Sequence, residues 1–165
     1  MDSSFSFSYH KFAKPGDLAP EDAALLEAAQ EATQLAYAPY SGFEVGAALL
    51  LDNGVIVRGG NQENASYPAG ICAERAALAT LSSLYPRMGI KAVAIAYRNR
   101  KQPGRNELIL SPCGICRQSL LEVSGLQDHP IKLIMSNPAG EGIIVDSITN
   151  MLPFAFSGDH LHPEG

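Results

Sequence analysis

The sequence has few basic residues and no long apolar run. Its 165 residues include 12 Lys and Arg against 17 Asp and Glu, which gives a formal net charge of −5. Proteins that bind nucleic acid carry basic surfaces that neutralise phosphates, so this balance disfavours a polyanion partner. The densest basic stretch, 98–105, is predicted to be a solvated loop. Nowhere do about 18 apolar residues run together, so we expect no membrane partner.

Cysteine is also scarce, and its number is odd. The three cysteines, Cys72, Cys113 and Cys116, cannot all pair within one chain. The first residues lack the basic start and continuous apolar stretch of a signal peptide, so we expect a soluble, cytoplasmic protein. Disulfides are rare in that reducing compartment. Cysteines at motif spacing therefore indicate metal binding or catalysis.

The rest of the composition is typical of one folded domain. Hydrophobic residues make up 46% of the chain and charged residues 18%, and this length suits a single core. We divide the sequence into a polar leader over 1–19, a folded domain over 20–157 and a tail over 158–165. It contains no internal repeat, low-complexity tract or linker.

Hydrophobic periodicity predicts alternating helices and strands. Leucines and alanines spaced by three and four residues indicate a helix over 20–36, and the turn at Asn53-Gly54 indicates a hairpin between strands 45–51 and 55–58. Further helices are predicted over 72–84, 114–123 and 147–152, and further strands over 91–97, 131–135 and 142–145. This order favours an α/β fold, namely a three-layer α/β/α sandwich around a mixed sheet of about five strands.

The three cysteines all lie at predicted helix N-termini. Cys72 begins one helix, and Cys113 and Cys116 begin another as a Cys-x-x-Cys pair. A helix N-terminus stabilises the thiolate form that binds metal. Three thiolates leave one tetrahedral position of a zinc ion open, which is the pattern of a catalytic rather than a structural site.

Two further residues of this segment have chemistry that suits such a site. Glu74 follows the first candidate ligand by two positions, so its carboxylate can reach a water on the metal and act as the proton shuttle. Three thiolates and one Zn²⁺ sum to −1. Arg75 can offset this charge by donating a hydrogen bond to a ligand sulfur.

Each motif has an ordinary interpretation when taken alone. A single Cys-x-x-Cys also occurs in redox pairs, structural zinc half-sites and plain cores. The combination is more specific. Cys-Ala-Glu at 72–74, followed by Pro-Cys-x-x-Cys at 112–116, matches the zinc deaminase arrangement in an all-cysteine form.

Longer stretches extend this match from about residue 37 to residue 156. They read YAPYSGFEVGAALL, GNQENASYPAGICAERAAL, SPCGICRQ and MLPFAF. In them the chain resembles the nucleoside cytidine deaminases. The resemblance implies a homotetramer with one zinc ion per subunit and 20–157 as the catalytic domain. It also implies hydrolysis of free cytidine or deoxycytidine to the uridine product and ammonia, in pyrimidine salvage.

The resemblance also assigns the substrate-binding residues. Asn61 and Glu63 would bind the ribose hydroxyls, and Phe43 would contact the pyrimidine. Ala73 would donate its backbone N–H to the base carbonyl, and the carbonyl of Ser111 would accept from the departing amino group.

Three more residues are implied to act between subunits. Phe156 would reach the active site of a neighbouring subunit, and Ala65 and Tyr67 would line a partner's pocket. Packing of the aromatic tail within its own subunit is the alternative.

The implied mechanism begins with zinc, which lowers the pKa of its water so that hydroxide attacks C4 of cytosine. Glu74 takes the water proton, delivers it to N3 and assists the departure of ammonia. No organic cofactor is required.

Three other functions are weighed against this one. An enzyme that edits polynucleotides would need a basic or aromatic strand-binding surface and commonly carries His in place of Cys72. A structural zinc module would need a fourth ligand such as His10, His129, His160 or His162, none of which lies at ligand spacing from the cysteines. The choice between cytidine, deoxycytidine and a modified cytosine nucleoside or antibiotic remains open.

Overall fold

The structure is a computed structural model, which describes residues 2–103 and 107–161. Three α-helices, six strands and five short 3-10 helices make up the regular structure of these residues. The helices are α1 (Pro20–Ala32), α2 (Ala73–Leu84) and α3 (Gly114–Ser124). The strands are β1 (His10–Phe12), β2 (Phe43–Leu51), β3 (Ile56–Gly60), β4 (Ile90–Asn99), β5 (Lys132–Ser136) and β6 (Gly142–Val145).

All six strands form one mixed sheet in the order β1-β6-β5-β4-β2-β3. Only β4 and β5 pair in parallel, because α3 carries the chain across between them, and the other pairs are antiparallel. The α/β prediction is therefore confirmed.

The sheet has one strand more than the expected five or so. The additional strand is β1, which comes from the predicted leader and pairs antiparallel with β6, His10 opposite Ile144. Phe12 of this strand is buried in the core. A three-residue edge strand is too short to carry an alternating pattern, so only its tertiary pairing identifies it.

The helices cover both faces of the sheet, as a three-layer sandwich requires. The core on one face contains side chains of α1, such as Leu25 and Leu26. The core on the other face contains Ala77 and Leu78 of α2 and Leu120 of α3. Two helices on the same face can therefore present their N-termini to a common point.

Most predicted elements occur with shifted ends. The first helix ends at Ala32 and continues as a 3-10 turn, Thr33–Leu35, and the predicted helix 147–152 is a 3-10 helix, Ile148–Met151. The predicted hairpin is present, with Gly54 at φ +84° in its turn. No helix of the described residues is both long and apolar enough to cross a bilayer.

Only part of the basic stretch 98–105 is the solvated loop that the sequence predicts, since residues 100–103 are an exposed loop but the start of the stretch belongs to a strand. Arg98 belongs to β4, and its guanidinium pairs with the buried carboxylate of Glu44. Arg100 also pairs with Glu44, at 2.8 Å between Nε and Oε1. Burying a carboxylate without a partner of opposite charge is costly, so the ion pairs with Glu44 favour positions of both arginines beside the sheet. Arg105 lies outside the described residues.

Candidate active site

The N-termini of α2 and α3 meet at one edge of the sheet. Strands β3 and β4 both pair antiparallel with β2, so they run in the same direction and their carboxyl ends share an edge. Each is followed along the chain by the helix that carries a cysteine at its N-cap, Cys72 for α2 and Cys113 for α3. The fold thereby brings together cysteines that are 41 residues apart.

The three cysteine sulfurs form a compact cluster. The Sγ atoms of Cys72 and Cys113 are 3.7 Å apart, and those of Cys113 and Cys116 are 3.5 Å apart. All three sulfurs lie within 4.8 Å of one another. Cys116 is fully buried, whereas Cys113 is exposed. This spacing suits three ligands that share one metal ion, with one side of the cluster open.

The charge balance of the cluster also fits a divalent cation. Burial raises the pKa of the Cys72 thiol and, with the nearby Glu74 carboxylate, that of Cys116. Burial opposes ionisation of Cys113 as well, but hydrogen bonds from Cys116 and its neighbours bring its pKa below the ordinary value. Three close thiolates need a positive charge between them, which Zn²⁺ supplies.

Glu74 lies beside the sulfur cluster in the first turn of α2. Only 4% of this residue is exposed. Burial raises the pKa of its carboxyl, against hydrogen bonds from its own backbone and the Cys116 thiol that lower it. A carboxyl with a raised pKa can both take and return a proton near neutral pH.

The guanidinium of Arg75 has one N–H group that could donate to a sulfur of the cluster. Its Nη2 donates to the carbonyl of Gly70 at 3.1 Å. Its Nε is buried and has no hydrogen-bond partner among the described residues. A buried donor without a partner is costly, and a metal-bound thiolate is the acceptor that would satisfy it. The predicted contact with a ligand sulfur stays a prediction.

A cavity of about 640 Å³ opens beside the cysteines. Its lining includes Cys72, Cys113 and Glu74, together with four of the predicted substrate-binding residues, Asn61, Glu63, Ala73 and Ser111. Ala73 is the first residue of α2, and backbone N–H groups of a first helical turn lack partners within the helix. The cavity is of the size that small-molecule ligands occupy.

Asn61 bonds to the first residues of β2, and Glu63 bonds to the turn before this strand. The Asn61 side chain accepts from the N–H of Val45 at 2.8 Å and donates to the carbonyl of Phe43 at 3.0 Å. Glu63 accepts from the backbone N–H of Tyr40 at 2.9 Å. Hydrogen bonds lower the pKa of Glu63, and the bond from the Ser41 hydroxyl makes the largest contribution. Its carboxylate is therefore an ionised acceptor on the cavity wall.

Phe43 is the first residue of β2. Its ring stacks on Tyr97, with the ring centroids 4.9 Å apart, and it is not among the residues that line the cavity. Contact between Phe43 and the pyrimidine stays a prediction.

Of the three residues predicted to act between subunits, one lines the described cavity and two do not. Tyr67 is 78% exposed and lines the cavity of its own chain. Ala65 and Phe156 are not among the lining residues of that cavity. The carbonyl of Phe156 accepts from the Gln118 side chain at 2.9 Å, which ties the tail to α3.

Sequence reasoning missed several lining residues. They come from the turn before β2, β2 itself, the segment after β3 and the segment before α3: Tyr40, Ser41, Val45, Gln62, Asn64, Gly70, Ile71 and Leu110. The run Pro-Tyr-Ser-Gly at 39–42 could have indicated a turn, since these residue types favour one. Nothing local indicates that this turn faces the cysteines.

The histidines considered as fourth ligands do not join the described metal-binding group, which consists of the three cysteines. His10 pairs with Asp146 at 3.7 Å, and His129 pairs with Asp52 at 3.2 Å. His160 contacts Ser157. His162 lies outside the described residues.

Comparison with known proteins agrees with this site. The family model for the cytidine and deoxycytidylate deaminase zinc-binding region matches residues 19–129. A cytidine deaminase of Halalkalibacterium halodurans is 37% identical over 138 residues, which cover 84% of this chain and 96% of that protein. One from Mycobacterium tuberculosis is 44% identical over 107 residues, covering 63% of this chain and 74% of that protein.

Solved structures extend the similarity to the fold. The crystal structure of cytidine deaminase from Burkholderia pseudomallei matches with a TM-score of 0.71 at 37% identity, and the match covers 81% of this chain and 97% of that one. The resemblance noted in the sequence is thus confirmed. This chain belongs to the zinc-dependent cytidine deaminases and is a hydrolytic enzyme.

Proposed function

We propose that this enzyme hydrolyses the 4-amino group of free cytidine and deoxycytidine, as a cytoplasmic homotetramer of pyrimidine salvage. One observation carries the proposal. A single cavity is lined both by metal-binding cysteines with Glu74 and by the polar pair Asn61 and Glu63. The first group suits hydrolysis at the base, and the second suits recognition of a sugar.

At the base, Cys72, Cys113 and Cys116 would hold the zinc ion. When bound, zinc supplies the Lewis acidity that makes water a nucleophile near neutral pH. Glu74 moves the protons: its carboxylate accepts one from the attacking water and delivers it to N3 of the pyrimidine. The backbone N–H of Ala73 and the carbonyl of Ser111 orient the ring by bonding to its carbonyl and amino groups.

At the sugar, Glu63 offers acceptors and Asn61 offers both a donor and an acceptor. A ribose hydroxyl can donate to the Glu63 carboxylate. A phosphodiester at the same position would bring a second negative charge to it, and the net charge of −5 further disfavours a polynucleotide. The free nucleoside is therefore favoured over an oligonucleotide.

We extend the proposal to the assembly. Phe154 is fully exposed, and Phe156 and Tyr67 are more than half exposed. Exposed aromatic side chains of this size favour contact with another chain. In the proposed tetramer, Phe156 enters a neighbour's active site, and Ala65 and Tyr67 line a partner's pocket.

An absorbance assay with zinc-loaded protein tests the reaction and the substrate together. The panel contains cytidine, deoxycytidine, free cytosine and a short cytosine-containing oligonucleotide. We expect efficient turnover of the two nucleosides only. Preference for the oligonucleotide, or equal rates on cytosine and cytidine, would contradict the proposal.

A further inference from the structure

We propose that Ser41 is a positioning residue for substrate binding, which orients the Glu63 carboxylate toward the sugar of the nucleoside. This inference rests on the proposed function, in which Glu63 binds the ribose. Neither the family resemblance nor the reaction chemistry assigns a role to Ser41.

The contacts between the two side chains are specific. Glu63 Oε1 accepts from the Ser41 hydroxyl, while Oε2 accepts from the backbone N–H groups of Tyr40 at 2.9 Å and Ser41 at 3.2 Å. Three donors thus converge on one carboxylate. Both Ser41 and Glu63 line the cavity.

The direction of the Ser41 hydroxyl is set from its other side. Its oxygen accepts from the N–H of Phe43 at 2.9 Å. With that lone pair engaged, the hydroxyl proton is directed to Glu63. The hydroxyl therefore links the entry of β2 to the carboxylate, 22 residues later in the chain.

The turn that carries Ser41 is itself anchored to the sheet. The N–H of Gly42 donates to the carbonyl of Ala38 at 3.0 Å, and the N–H of Arg100 donates to the carbonyl of Gly42 at 2.9 Å. Gly42 has φ +68°, which glycine adopts without strain. Arg100 is held in turn by the buried Glu44. A well-anchored turn can hold a side chain, whereas a mobile one cannot.

The consequence concerns binding more than chemistry. An exposed glutamate that moves freely must be ordered each time the substrate binds, and this ordering weakens affinity. Glu63 is ordered in advance by the three donors, and Oε1, which accepts only from the Ser41 hydroxyl among the described residues, still has a lone pair for a sugar hydroxyl. Loss of the Ser41 hydroxyl should therefore raise KM for nucleosides and leave kcat nearly unchanged.

The test compares Ser41→Ala with Ser41→Thr, which keeps the hydroxyl, and with Ser83→Ala as a control. Ser83 is an exposed serine of α2 whose hydroxyl bonds only to its own helix in the described structure. The substrates are cytidine and 2′,3′-dideoxycytidine, which lacks the hydroxyls that Glu63 would bind. Zinc content and circular dichroism confirm that each variant folds.

We expect Ser41→Ala to raise KM for cytidine about 3–10-fold, which corresponds to the net contribution of one ordinary hydrogen bond. The change on 2′,3′-dideoxycytidine should be less than about twofold. Ser41→Thr should restore most of the affinity, and Ser83→Ala should match wild type. In a Glu63→Ala background, Ser41→Ala should add nothing, since it acts through that carboxylate.

A measurement without substrate gives a second readout. Loss of the hydroxyl removes the largest cause of the lowered Glu63 pKa, so carboxyl NMR should show this pKa rise in Ser41→Ala. In Ser41→Thr, which keeps the hydroxyl, the pKa of Glu63 should again lie below its ordinary value.

The outcomes separate the two proposals. If wild type prefers cytidine, Glu63→Ala abolishes the preference and Ser41→Ala keeps it, only the role of Ser41 is overturned. If wild type does not distinguish the two substrates, the ribose assignment of Glu63 fails and the inference fails with it.

Discussion

Glu74 is a buried carboxylate with a raised pKa beside the cysteine cluster. Replacing it with Gln keeps the volume and removes the proton acceptor. We expect Glu74→Gln to lower kcat by about 10²–10⁴-fold, because general acid–base catalysis contributes that much, while zinc and nucleoside binding persist. Steady-state kinetics with metal analysis check this. A kcat within tenfold of wild type would exclude the shuttle role.

Unlike Glu74, Cys116 is a predicted zinc ligand, and it is the fully buried member of the cluster. Cys116→Ala removes a ligand and leaves Zn²⁺ with two, so we expect loss of bound zinc and of activity together, with a lower Tm. Ser119→Ala, one helical turn later, serves as the control because its hydroxyl bonds only to its own helix among the described residues. Full zinc occupancy in Cys116→Ala would contradict the ligand assignment.

The position of α2 against β3 depends on a glycine. A Cβ at Gly59 would lie 2.4 Å from the Ala77 nitrogen and 2.5 Å from the Ala73 carbonyl oxygen. Gly59→Ala must push α2 away from the sheet, and α2 carries Cys72 and Glu74. We expect a loss of about 1–3 kcal/mol of stability, or a Tm lower by about 2–12 °C, and weaker zinc binding.

Gly16→Ala is the matched control for this change, since nothing lies within 4 Å of a Cβ at that position. Its Tm should equal or slightly exceed that of wild type. If Gly59→Ala behaves like Gly16→Ala, close packing of α2 on β3 does not position the zinc ligands.

A titratable contact joins the end of β2 to the segment before β5. The Asp52 carboxylate raises the pKa of His129 above its ordinary value, and the two groups are 3.2 Å apart. A raised pKa in the folded state stabilises the protein fully below about pH 6.5, the value in the unfolded chain, and this contribution is lost as pH rises through the folded value. Thermal melts of wild type and Asp52→Asn should therefore differ more at pH 5.5 than at pH 8.5. An equal difference in Tm between wild type and Asp52→Asn at the two pH values would contradict this interpretation.

At the scale of the whole molecule, the exposed aromatic tail bears on the assembly. We expect sedimentation at micromolar concentration to give a tetramer of the 17.5 kDa chain, because exposed aromatics favour burial in an interface. Phe156→Ala should lower kcat/KM while each chain keeps its zinc. The control is Phe5→Ala, because Phe5 is also exposed but lies far from Phe156 in the sequence. A fully active, zinc-loaded monomer would rule out shared active sites.

Features of this protein that depend on neighbouring residues along the chain could be predicted from the amino-acid sequence. The Asn53-Gly54 hairpin and the amphipathic helices follow from local conformational preference and periodicity. The cysteines and Glu74 could be recognised because catalytic zinc needs particular atoms at particular spacings, and such chemistry leaves a readable pattern.

Contacts between distant segments could be identified only in the folded structure. The pairing of β1 with β6, the burial of Glu44 under Arg98 and Arg100, and the contact of Ser41 with Glu63 each join segments that are far apart in sequence. Alternation or periodicity within one segment carries no information about which other segment will lie against it. Polar side chains such as Ser41 gain their role from the partner that the fold brings within hydrogen-bond distance.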